Sequence, residues 1–119
     1  MRQQLIDDYK INFQNRIDKN RKVDKFPLTN NGILSFFLYG WNVRHINENL
    51  LPDIDNALLN PQSENENGNG IVNILIYQDK VVFYQDEEDP FTMSTIDFKE
   101  VVIAWRDFLL KKPADGSTV

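Results

Sequence analysis

A chain of 119 residues with 41% apolar and 26% charged side chains fits one globular domain and leaves no room for a second core of similar size. Cysteine is absent and His45 is the single histidine, which removes disulfides, thiolate nucleophiles, zinc ribbons and iron–sulfur clusters and argues against most transition-metal sites. The net charge of −5 disfavours nucleic acid as a ligand. No apolar run approaches the ~20 residues of a membrane span and MRQQLIDDYK holds no long apolar stretch, so no membrane partner, no secretory signal and a cytoplasmic compartment are expected.

Leu5, Ile6, Tyr9, Phe13 and Ile17 recur at spacings of three and four, which predicts a helix over 3–18. Ile11 falls off that stripe, and a strand over Tyr9, Ile11 and Phe13 is the alternative. Residues 18–28 read as a polar, basic connector ending near Pro27. Thr29, Asn30 or Asn31 can cap the next element, and ILSFFLYGW is apolar nearly all round, predicting a buried helix over about 31–39. Phe37, Tyr39, Trp41 and Val43 also alternate, so a strand competes there. Pro52 suits the first turn of a short helix carrying Ile54, Ala57 and Leu58, which Asn60-Pro61 ends.

NPQSENENGNG, residues 60–70, holds no apolar side chain and reads as a loop. IVNILIY (71–77) and VVFY (81–84), joined by Gln78-Asp79-Lys80, form a β-hairpin; with both faces apolar, the first strand is interior to its sheet or covered on both sides. DEEDP turns the chain, and Phe91, Thr92 and Met93 form a third strand. Ser94 or Thr95 then caps a helix over about 96–111 whose stripe is Phe98, Val101, Val102, Trp105, Phe108 and Leu109. The sum is an α+β domain over 1–112: N-terminal helices, an antiparallel meander over about 71–93 and a long C-terminal helix packed on it. PADGSTV, residues 113–119, is expected to fray.

No motif in this chain carries catalysis. His45 has no nucleophile elbow to serve, so a small hydrolase built on it is the minor alternative. Asp86, Glu87, Glu88 and Asp89 lack calcium-loop spacing, with Pro90 following at once, and no metal is expected. Trp41 and Trp105 could wall a sugar cleft, but Trp105 sits on a core stripe. No phosphate-binding glycine pattern exists and no cofactor is expected.

The charge is unevenly spread. Residues 1–45 hold eight bases against four acids, and residues 46–97 hold eleven acids against Lys80 alone. Such a block either solvates a surface or steers a basic protein partner.

The second half resembles small bacterial toxin-immunity proteins of the contact-dependent or polymorphic-toxin type. The shared layout is a hairpin, an acidic turn, a short strand (here Phe91-Thr92-Met93-Ser94) and a helix with Phe98, Val102, Trp105 and Phe108-Leu109 at matching positions. The resemblance implies a non-enzymatic cytoplasmic antidote whose partner is a toxin domain, often a nuclease, with a non-catalytic adaptor as the alternative. On that reading the candidate contacts are Glu48, Asp53 and Asp55, then Glu64 and Glu66, then Asp86, Glu87, Glu88 and Asp89. Tyr77 or Tyr84 is a candidate anchor, since hot spots favour tyrosine.

Overall fold

The computed structural model describes residues 1–68, 72–85 and 89–118. It is α+β, with a two-stranded and a four-stranded antiparallel sheet and a long C-terminal helix packed against the larger one. That helix, α5 (Thr95–Leu110), is capped as expected: the Ser94 hydroxyl accepts from the Asp97 backbone N–H at 3.1 Å. Its buried stripe is Phe98, Val101, Val102 and Trp105. Trp105 is 1% exposed and donates its indole N–H to the Leu38 carbonyl at 3.0 Å, so the one polar atom of the largest core side chain is satisfied.

The four-stranded sheet is a meander in the order β3 (Asn65–Gly68), β4 (Asn73–Ile76), β5 (Lys80–Tyr84), β6 (Phe91–Ser94). The expected hairpin is present, and its first strand is interior to the sheet. Ile74, Ile76, Val81, Phe83 and Met93 point inward and are buried against the helices. The residues expected as a loop over 60–70 include β3, a strand with no apolar side chain. Its inward residues are held by α4 (Leu51–Leu59): Asn67 donates to the Asp53 carboxylate, and Asn56 donates to Ser63 Oγ at 3.1 Å and to Asn65 Oδ1 at 3.3 Å. A polar clasp replaces apolar burial here, which is why periodicity does not reveal the strand. At Gly68 an added Cβ would lie 2.5 Å from Asn73 Oδ1 and 3.2 Å from the Val72 carbonyl oxygen, so a larger residue would push the Asn73 side chain aside.

The N-terminal quarter departs most from expectation. The helix expected over 3–18 stops early: α1 is Gln3–Tyr9, closed by Lys10 in the left-handed conformation with its N–H on the Ile6 carbonyl. The chain then enters β1 (Asn12–Ile17), so the competing strand reading holds for Phe13. The expected connector 18–28 contains β2 (Val23–Leu28), which pairs with β1 from Asn12↔Leu28 to Ile17↔Val23. Asp18 organises the turn: its carboxylate accepts from the N–H groups of Asn20 (2.8 Å) and Lys22 (3.0 Å), while Arg21 takes φ 62°. Val23, Lys25 and Pro27 face inward, so a lysine and a proline hide the period of two.

α2 (Gly32–Tyr39) is the expected buried helix, capped by Asn31 Oδ1 on the Leu34 N–H at 3.0 Å. A short α3 (Val43–His45) runs through a π-helical turn (Ile46–Leu50) into α4. The Leu51 N–H reaches back to the Ile46 carbonyl, widening the helix just before Pro52, which takes its expected place in the first turn of α4. In the expected tail, Gly116 donates to the Val23 carbonyl at 2.8 Å and Val23 donates to the Ser117 carbonyl at 3.0 Å. Among the described residues no helix is long and apolar enough to cross a membrane.

Candidate partner-binding surface

The helices pack on one face of the large sheet, α4 on β3 and β4, α2 on β5, and α5 on β5 and β6. The register assigns the other face. Glu66, Leu75, Val82 and Thr92 form one cross-strand row; Gly68, Asn73 and Tyr84 form a second; Lys80 pairs with Ser94 in a third. Each of these residues is half-buried or exposed, whereas the alternate positions of β4 and β5 are buried. Tyr77 closes the β4–β5 turn through its N–H on the Lys80 carbonyl at 2.9 Å. The buried Thr95 fixes it further by donating its hydroxyl to the Tyr77 carbonyl at 2.7 Å. Both tyrosines named from the sequence are therefore half-buried, outside the fully buried core. Leu75 and Val82, unremarked in the sequence, lie between them. Their signal is the alternation of IVNILIY against VVFY, where the second apolar face lies on the side of the sheet opposite α2, α4 and α5.

The acidic candidates separate into three groups. Three are engaged by neighbouring side chains: Glu48 is ion-paired at the surface with Arg44 at 3.2 Å, Asp55 with Lys99 at 2.6 Å, and Asp53 is the acceptor of the β3 clasp. Glu64, Glu66 and Asp89 are exposed with no ion pair or hydrogen bond to their carboxylates among the described residues. Asp86, Glu87 and Glu88 lie outside the described residues. The structure thus brings Glu64 and Glu66 to the β3 edge of the open sheet face, and Asp89 to the connection between β5 and β6. Glu48, Asp53 and Asp55 stay on the helical run behind the sheet.

The bases gather elsewhere. Phe98 meets Phe83 of the sheet at 5.3 Å near the start of α5, whereas Phe108 near its end meets Phe13 of the small hairpin at 5.7 Å. The 16 residues of α5 span about 24 Å. Arg16, Lys19, Arg21 and Lys22 are exposed at the hairpin turn, with the Arg16 guanidinium 4.0 Å from the Phe26 ring centre. Lys25 is the exception at 2% exposure: its ammonium sits 4.1 Å from the Phe108 ring centre and donates to Asn15 Oδ1 at 2.7 Å. Burial lowers its pKa, with nearby Asp115 opposing. At the start of α5 the Arg2 backbone N–H donates to Glu100 at 3.0 Å, and this, with the Arg2 guanidinium, holds that carboxyl below the usual range.

Other chemistry is thinly furnished. His45 is exposed on α3 and shares a shallow cleft of about 240 Å³ with Gly40, Trp41, Asn49 and Gly68; those lining residues carry no carboxylate or hydroxyl. Trp41 also lines a cleft of about 450 Å³ with Tyr39, Arg44, Leu109 and Asp115. Trp105 is in the core, so the two tryptophans do not wall one groove. Among the described residues no group of three His, Asp or Glu side chains could hold a metal ion. Compared with models of known protein families, with curated proteins and with solved structures, the chain matches none.

Proposed function

We propose that this chain is an immunity-type protein that binds a bacterial toxin domain with a basic surface, such as the phosphate-binding cleft of a nuclease, and blocks it in the cytoplasm without catalysis. The observation that carries this reading is the division of the acids. Glu48 and Asp55 are ion-paired and Asp53 is hydrogen-bonded within the chain, while Glu64 and Glu66 at the β3 edge and Asp89 before β6 have no such partner among the described residues. Unpaired acids add little to the stability of a fold, because like charges repel. An inhibitor of a basic cleft gains association rate and discrimination from them. Among the described residues, the lining of the His45 cleft offers no nucleophile or carboxylate, which favours binding over hydrolysis as the role of the molecule.

The test is co-expression with the domain encoded in the neighbouring open reading frame. The expected result is rescued growth and a stable complex of the two chains on gel filtration. Growth arrest that this protein does not relieve, with no complex, would contradict the proposal.

A further inference from the structure

Resting on that reading, we infer that the centre of the contact is the outward face of the β3–β6 sheet. Its occupant is a cationic protein surface that sets an arginine or lysine beside an apolar side chain. Leu75 and Val82 are cross-strand partners in the middle of this face, Tyr84 lies two residues beyond Val82 on β5, and Tyr77 two beyond Leu75 on β4. Alternation places these four on one side, forming a continuous diagonal of apolar and aromatic surface.

Antiparallel sheets commonly leave one face to water, and such faces are then polar. This one carries leucine, valine and two tyrosines at its centre, half-buried by their own neighbours. Tyrosine with aliphatic neighbours is the composition of an interface centre. Charge selects the occupant. Glu66 stands directly across from Leu75, Glu64 lies just before β3, and Asp89 precedes β6. The one base among the described residues of this face, Lys80, lies two strands from Glu66, in the row that Tyr77 and Glu64 extend, with its ammonium 5.9 Å from the Tyr77 ring centre. The charge therefore varies across the strands: a partner cation fits over Glu66 at the β3 edge and is repelled over Lys80 on β5.

The experiment uses the whole protein, labelled with ¹⁵N, and two synthetic peptides of equal positive charge. One alternates arginine with leucine and tyrosine; the other alternates arginine with glycine and serine. At about 0.1 M salt, where the screening length is ~10 Å, both can feel the acids. The apolar peptide should bind about tenfold tighter and shift the amides of Leu75, Val82 and Tyr84. Leu75→Thr and Val82→Thr keep a strand-forming side chain at an outward position and should leave the fold intact; they should erase the difference between the peptides. Lys80→Glu should tighten both. Equal binding of the two peptides would overturn the sheet-face inference and leave the acidic-surface reading standing, whereas shifts confined to the Glu48–Asp55 helix would overturn both. No binding of either peptide would overturn both.

Discussion

The β1–β2 hairpin and the β4–β5 hairpin have the same pairing geometry and are held by opposite means. In β4–β5 the inward row is Ile74, Ile76, Val81 and Phe83, each with no exposed area, and the hairpin brings its own share of the core. In β1–β2 the buried positions are Val23, Lys25 and Pro27 of β2, whose partners on β1 are the exposed Ile17 and Asn15 and the half-buried Phe13. That hairpin borrows its apolar partner from α5, through Phe13 against Trp105 at 5.0 Å and Lys25 over Phe108, and it is closed by the Asp18 turn. Neither pair would be stable alone, but β4–β5 is flanked by β3 and β6 and brings apolar side chains to the helices, whereas β1–β2 has no further strand and is only as firm as its dock on α5.

Trp105 serves both regions, so breaking it has the largest effect. Trp105→Ala should cost about 3–5 kcal/mol, much of the ~5–15 kcal/mol stability of such a domain, in a urea titration. A near-neutral variant would contradict the packing described here. Phe13→Ala separates the two regions. It should cost about 2 kcal/mol, since the ring is half-buried, and hydrogen exchange should quicken in β1 and β2 while β4 and β5 stay protected. Equal loss of protection in both hairpins would show that they unfold as one unit.

The polar clasp is a smaller lever. Asn67→Ala should cost about 1 kcal/mol and loosen the amides of β3 alone, because it leaves the Asp53 carboxylate without its donor. The smallest effect is expected at Lys25. Lys25→Met keeps the packed stem and should change stability at pH 7 by no more than about 1 kcal/mol, since the lost cation–π contact and the relieved desolvation oppose each other. The sharper readout is pH. With the folded pKa below the unfolded value, the native state binds fewer protons than the unfolded chain at alkaline pH. The Lys25 contribution therefore rises from the folded pKa towards 10.5. The parent should gain stability relative to Lys25→Met over that window, and parallel curves would contradict the burial of a charged amine.

These contrasts explain what the sequence made legible. α5, α2 and the β4–β5 hairpin could be read because local signals and burial agree: Ser94 and Asn31 cap, and branched side chains alternate over an apolar face. β1 could not, because Leu5, Ile6, Tyr9, Phe13 and Ile17 fit a helical stripe that Lys10 interrupts by turning left-handed. The buried Ile11, off the stripe, was the one contrary signal. β2 was hidden by Lys25 and Pro27 at inward positions, and β3 by a clasp of asparagines, since hydropathy has no term for a side chain buried through hydrogen bonds. At the candidate surface, the acidic block was visible as composition. Sequence alone could not tell which acids Arg44, Lys99 and Asn67 had already taken, because those partners lie from 4 to 44 residues away along the chain.

The central claim is that the free acids flanking the sheet, Glu64 and Glu66 at β3 and Asp89 before β6, and not the paired ones behind it, face the partner. The most direct measurement is the association rate with the domain encoded beside this gene, followed by stopped flow across a salt series. Reversal of Glu64, Glu66 and Asp89 to lysine should slow association by roughly tenfold or more and flatten its salt dependence. Reversal of Glu48 and Asp55 should change it little. Equal slowing by both sets, or a rate indifferent to salt and to either set, would contradict the account.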